Sequence, residues 1–492
     1  MASFPHAVNE DAIAPSYLVS ELRPPSGPPR GLKSGCEVRA VAWSPDGTFV
    51  AWAQGPRGTV RLLPWSPRLN NLPSGSGEVI ADGDGAVVEE GDGNDVGNDV
   101  GGRTIECGET VWSLALGSPL PGKTSRCINI EFHRFRFDDD ALVLATGLAS
   151  GRIKIWDLYT GKFLLYLMDH TAIVQDLTFA PDGSLMLVSA SRDKTLRVWD
   201  LKDDGNMVKV LKGHHKWVNA SAFSPDASML CSVGAGKSAL LWEMEHFTLL
   251  RRLEGHLNDV VACEFSPDGA LLATASHDTR CILWDPYTGT AVASFGHLFP
   301  APSPIFAGGA NYHWVRAVTF SRDGLHVASL ADDGLLRFWR VGDDSAPVAV
   351  ANVPNGQCCA FSPNGHVLLA GLQDGGVGVW AAPRDVGPLQ HLCRMSLRRV
   401  SSTQQVDAMA DTLPGKMHRY LTYRSSDLLL RKKTTPIFFR LLHLSRQRDS
   451  PSATLEVASG DSAPLLLLLA AAKDLCCHAA RQLRSYVCSC SL

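Results

Sequence analysis

The side chains best suited to chemistry in this sequence come in matched sets. His170, Ser191 and Asp193 precede Trp199, and His256, Ser276 and Asp278 precede Trp284 at nearly the same spacing. Histidine, serine and a carboxylate could form a nucleophilic triad, with the imidazole as base and the carboxylate orienting it. An active site is built once, whereas these sets recur along the chain, so the repetition argues for architecture. Gly234-Ala-Gly-Lys-Ser238 has the ending of a phosphate-binding loop, but Cys231 stands where that loop needs its first glycine. The strand-like Ala239-Leu-Leu-Trp242 follows it in place of a helix. Cys476, Cys477, His478, Cys488 and Cys490 could ligate a metal, yet their spacing fits no zinc template. Neither a G-x-S-x-G nor an H-E-x-x-H motif occurs. The expectation is a chain with no catalytic residue, no metal and no cofactor.

The elements that hold these sets are short strands. Six segments end in apolar-X-apolar-Trp, at Trp156, Trp199, Trp242, Trp284, Trp339 and Trp380, and a weaker copy ends at Trp65. The intervals between the six are 43, 43, 42, 55 and 41 residues. A Ser-Pro-Asp-Gly-like phrase recurs at 43–47, 224–227, 266–269 and 362–365, where Pro presets φ, Asp bonds nearby backbone and Gly accepts positive φ. Several strands per ~42 residues with Gly-His and Trp-Asp marks resemble the WD40 repeat. The resemblance covers 38–380 and implies an all-β, seven-bladed WD40 β-propeller. In that family a histidine, a strand Ser or Thr, an aspartate and the tryptophan form a buried hydrogen-bonded tetrad. It is implied here by His170, Ser191, Asp193 and Trp199 in blade three and by His256, Ser276, Asp278 and Trp284 in blade five. Blade four departs from the pattern with Gly236 at the aspartate position, and blade two with Ser150.

No outer strand follows Trp380, so the N-terminal segment 1–37 is expected to close the ring through Tyr17–Arg23. Residues 66–102 interrupt blade one. They are acidic and Gly-rich, and an unfolded loop is expected. A second insertion, 297–313, precedes blade six and holds Phe299, Ile305 and Phe306, which could form a contact or tuck onto a neighbouring blade. The substrate contacts suggested by the WD40 binding face are Arg192, His277, Asp332 and Gln373, with Trp217 and Trp314 at the starts of their blades.

Beyond the ring the apolar period becomes helical. Leu389, Cys393 and Leu397 fall at i, i+4 and i+8 after Pro388, with Leu392 close to that face. Such a helix could cap the propeller or insert into a partner's groove. Pro388, Leu389, Cys393 and Leu397 fit the elongin-binding box that opens a SOCS box. Leu413, Pro414, Met417, Tyr420 and Leu421 resemble its cullin-contacting part, although Asp411-Thr412 replace the earlier Leu-Pro pair. A WD40 ring followed by a small α-helical SOCS box over 386–424 resembles the WD repeat and SOCS box-containing proteins. The phrases at 127–137, 189–207 and 295–311 carry the same resemblance. It implies a non-catalytic substrate receptor of a cullin–RING ubiquitin ligase. The propeller would hold an unidentified protein substrate, and the box would recruit elongin B, elongin C and a cullin carrying a RING-box protein. A WD40 scaffold without a ligase role is the alternative.

Residues 425–492 leave the resemblance, and a divergent, unfolded tail is expected there. The chain has 492 residues, is 45% hydrophobic, and carries 46 basic against 50 acidic residues, so no basic footprint for nucleic acid stands out. Its longest apolar run, Leu465–Ala472, is far short of the ~20 residues of a membrane span. The first thirty residues lack a signal-peptide core, which points to an intracellular protein, cytoplasmic or nuclear, with reduced cysteines.

Overall fold

The computed structural model describes residues 14–15, 18–22, 37–65, 103–119, 141–297, 314–342 and 346–383. It also describes His391, Arg394, Met395, Arg398, Val406 and Leu421. The described strands form seven antiparallel sheets, six of four strands and one that gains a short fifth. Each sheet is one blade. Blade three runs Val174–Phe179, Met186–Ser191, Thr195–Asp200 and Asn206–Lys212 in sequence order. Its second strand is buried along its whole length, while its first and fourth are partly open. A sheet packed on both faces by neighbouring blades needs such a continuous apolar middle strand.

The core is divided between blades. Seven clusters of buried side chains each join one blade to the next, and the seventh joins blade seven to blade one through Val38, Val50, Trp52, Val367, Leu369 and Val379. Closure uses the N-terminal strand Leu18–Leu22, which pairs antiparallel with Val377–Ala381, Leu18 opposite Trp380. The preceding Ala14–Pro15 lies parallel to Ala349–Val350 on the outer edge of blade six, a pairing absent from the sequence reading.

The Ser-Pro-Asp-Gly phrases build the turns from first to second strand. In Ser266–Gly269 the Ser266 hydroxyl and the Ala270 amide both donate to Asp268 Oδ1, and Gly269 takes φ +69°. The same Ser–Asp or Ser–Asn bond recurs at 44–46, 224–226, 321–323 and 362–364. Antiparallel order puts these turns at one end of every blade, the lower rim, and the second-to-third-strand turns at the other, the upper rim. Gly234–Ser238 is one of the upper-rim turns, and the strand Ser238–Glu243 follows it. The insertions 66–102 and 298–313 and the tail 425–492 lie outside the described residues.

Candidate functional site

The matched His, Asp and Trp side chains do meet, but around a different hydroxyl. In blade three His170 Nδ1 lies 2.6 Å from Asp193 Oδ2 and His170 Nε2 lies 2.7 Å from Ser189 Oγ. Trp199 Nε1 donates to the same Ser189 oxygen at 2.9 Å. In blade five His256 joins Asp278 and Thr274, and Trp284 Nε1 donates to Thr274 Oγ1 at 2.8 Å. Ser191 and Ser276, expected in these tetrads, are therefore replaced by Ser189 and Thr274. The register explains it. Leu187 is opposite Trp199, so the indole reaches the diagonal same-face neighbour Ser189, and Ser191 lies one pair farther on. Ser191 instead accepts from the Asp193 amide and donates to Ala172 O, and Ser276 does the same work for Asp278 and Asp259 O.

Asp193 and Asp278 are held below the ordinary carboxylate range. Burial alone would raise them, and the bonds from His170 or His256 and from neighbouring groups outweigh it. Blade six reaches the same end differently. His297, read as the start of an insertion, bonds Ser329 at 2.7 Å, and Arg337 bridges His297 Nδ1 and Asp333 Oδ2 at 2.7 and 2.6 Å. Blade four keeps His214, Ser232 and Trp242 without an aspartate, and burial pushes His214 down to about 4. These groups are buried, and each carries a partner from its own blade. They brace the strands.

The upper rim gathers the proposed substrate residues into two groups. Arg192 lies between two indoles, its guanidinium carbon 4.9 Å from the Trp112 ring and 4.7 Å from Trp217. Arg39 covers the Trp112 ring as well, at 4.1 Å. The result is a ladder, Arg39–Trp112–Arg192–Trp217, across blades one to four. The second group is on blades five and six. His277 stacks on Trp314 at 4.5 Å and 19°, and Arg316 pairs bidentately with Asp332 at 2.7 and 2.9 Å. Burial, then Arg316, lowers the His277 pKa. Gln373 is on the same rim, its backbone N–H donating to Asn355 O. Arg39, Trp112 and Arg316 were missed in the sequence. Each directly follows a buried valine at the start of its blade (Val38, Val111, Val315), and that repeated Val-X position was the available signal.

The lower rim is contacted by the segment after the ring. His391, Arg394, Met395 and Arg398 are helical and buried. His391 Nε2 donates to Asp323 O at 2.5 Å, and its Nδ1 accepts from Arg394 Nη2 at 2.8 Å. Arg398 Nε donates to Asp268 O at 3.2 Å, and Arg394 Nε lies 4.0 Å from Asp268 Oδ2. Met395 sits over Gly324 in the Asp323 turn. Burial, more than the neighbouring Arg394, holds His391 below its usual pKa, consistent with a neutral ring that donates at one nitrogen and accepts at the other. Leu421 is also helical and buried. Pro388, Leu389, Leu392, Cys393, Leu397, Leu413, Pro414, Met417 and Tyr420 lie outside the described residues.

Among the described residues no helix is long and apolar enough to cross a membrane. The family described as WD domain, G-beta repeat matches residues 161–200, 205–243, 247–285, 307–340 and 352–381. The WD repeat and SOCS box-containing protein 1 of Homo sapiens is 60% identical over 425 residues, which are 86% of this chain and the whole of that protein. Its counterparts in Mus musculus and Danio rerio are 61% and 59% identical, again over 86% of this chain and their own full lengths.

Proposed function

The chain belongs to the family of WD repeat and SOCS box-containing proteins, and from that membership we propose that it is the substrate-recognition adaptor of an elongin–cullin–RING ubiquitin ligase. In this reading the chain performs no bond-making step. It raises the effective concentration of a bound substrate near a catalytic partner.

One observation carries the reading: the helical residues after the ring dock on the lower rim through a polar face, His391, Arg394 and Arg398. At 3.6 residues per turn, the centre of positions 389, 393 and 397 in such a helix lies about 130° round from that of 391, 394 and 398. In this reading the stripe Leu389–Cys393–Leu397 would be offered to elongin C, while His391, Arg394 and Arg398 hold the helical segment on the propeller. Leu392 and Pro388 flank the stripe. Leu413, Pro414, Met417, Tyr420 and Leu421 are the proposed cullin contacts, of which Leu421 is buried in the free chain. Strands of about six residues span ~20 Å, so a substrate on the upper rim is held a blade's height from the box.

Leu389→Ala tests the reading. Truncating a central apolar anchor costs ~2 kcal/mol or more at an interface hot spot. Elongin B and C are expected to be lost from the purified complex, with the melting of the propeller unchanged. Elongins retained by that variant would remove Leu389 as the anchor, and elongins absent from the unaltered chain would leave a scaffold without a ligase role.

A further inference from the structure

The two upper-rim groups are alike in parts and differ in one. In blade six an arginine beside an indole receives a carboxylate from its own blade: Arg316 over Trp314, paired with Asp332. Arg192 has the indoles on both sides and no carboxylate partner among the described residues. Its Nε and Nη2 donate to the side-chain oxygen of Gln175 at 3.2 Å each, with that amide oriented to accept both, which leaves the Nη1 edge unused. Arg39, one indole away, is already neutralised by Glu37 at 2.7 Å. The ladder therefore carries one uncompensated positive charge, at Arg192. Beside it Trp217, with Arg192 against its ring, is still 50% exposed.

We propose that the Arg39–Trp112–Arg192–Trp217 ladder binds an extended acidic peptide segment of a substrate protein, one carboxylate side chain pairing with Arg192 and an adjacent apolar residue covering Trp217. Asp332 on Arg316 is the internal example of the contact that the peptide would complete. A guanidinium fixed between two rings loses little freedom on pairing, and a carboxylate matches its two-pronged edge. One unpaired charge suits a monoanionic carboxylate, whereas a phosphate dianion would leave charge unmatched. The lower rim already holds His391 and Arg398, so the upper rim is the end left for a partner. This inference rests on reading the propeller as the substrate-holding part.

The test is an array of synthetic fifteen-residue peptides of varied sequence, each made with Glu, Gln, Lys or phosphoserine at its centre, probed with the full-length chain. Glu-centred peptides with a neighbouring Leu or Phe are expected to bind about tenfold or more tighter than their Gln versions, the size of one charge-assisted hydrogen bond. Arg192→Gln should erase that preference, Arg192→Glu should shift it to Lys-centred peptides, and Trp217→Ala should remove the selection for the apolar neighbour. All three are expected to melt as the unaltered chain does. Equal binding of Glu and Gln peptides, a preference for phosphoserine, full binding by Arg192→Gln, or no bound peptide would overturn the proposal. If Arg192→Gln fails to fold, Trp217→Ala and the Glu/Gln comparison on the unaltered chain still decide it. Elongin B and C retention is scored on the same proteins. Its loss would count against the adaptor reading and leave the ladder result standing.

Discussion

Ser189 Oγ serves His170 Nε2 and Trp199 Nε1 at once. Replacing it by alanine strands two buried nitrogens, and each such loss costs about 1–3 kcal/mol. Ser189→Ala is expected to lower urea stability by about 2–4 kcal/mol. Ser191→Ala, which removes the hydroxyl that accepts from Asp193 N and donates to Ala172 O, is expected to cost about 1 kcal/mol. Equal losses would contradict the arrangement around Ser189. Ser191 looked right in the sequence because it neighbours Asp193, and only the pairing of Leu187 with Trp199 reveals which serine shares the indole's face. Glu264 sets a second expectation. It reaches from blade five to accept from Phe320 N in blade six, and burial raises its pKa to about 7 despite the bonds from Thr319 and Phe320. Its folded pKa lies above the ordinary 4.5, so the folded state holds the extra proton between those values. Its contribution is full below about pH 4.5, falls as pH rises to about 7, and is level above. Glu264→Gln should remove that slope, up to about 3 kcal/mol between pH 4.5 and 8 at 1.36 kcal/mol per pH unit. Denaturant titrations of variant and unaltered chain across this range check it, and parallel curves would refute it. The difference between the two curves is the readout, because His214, His277 and His391, all lowered by burial, contribute slopes of the opposite sign in this range.

At the scale of elements, the helical stretch after the ring shows how a stripe can be legible while its use is not. Leu389, Cys393 and Leu397 announce an apolar face in the sequence. Nothing in the sequence marks His391, Arg394 and Arg398 for burial, because charged side chains are rarely buried without a partner. Their partners are the lower-rim turns at Asp268 and Asp323, and no local pattern reports that long-range meeting. The strands themselves were legible for the opposite reason, since their pairing follows chain order inside each blade. Arg394→Ala with Arg398→Ala leaves Asp268 buried without its cations, a loss on the order of 2–4 kcal/mol in the local opening of this helix. Hydrogen exchange should show the helix losing protection with blade interiors unchanged, and elongin B and C should still co-purify. Unchanged protection of the helix would mean that the polar face does not hold it. Loss of elongins with full protection would mean that these arginines serve the partner.

For the whole molecule the decisive contact joins the two ends of the ring. Six of the inter-blade cores bring together blades that follow one another in the chain. The seventh packs blade seven on blade one, and the strand that completes blade seven comes from residues 18–22. The absence of an outer strand after Trp380 made this closing strand predictable. The neighbouring bridge of Ala14–Pro15 to blade six was not, because a two-residue parallel pairing has no periodicity to read. Together the two pairings run the N-terminal segment across the outer edges of adjacent blades, so that one short stretch staples blade six to blade seven. Without it the strand Val377–Ala381 would present an unpaired edge, open to pairing with another chain. The contacts of Val19 and Leu22 with the closing core would go too. Deleting residues 1–23 is expected to lower the melting midpoint and to produce concentration-dependent association. A synthetic peptide of residues 12–24 added in trans should restore the monomer, since it supplies both pairings without the covalent link. Light scattering and thermal melts of the truncated chain, with and without the peptide, check this. A monomer with an unchanged midpoint would mean that the ring is held by its inter-blade cores and that the strand only decorates the edge.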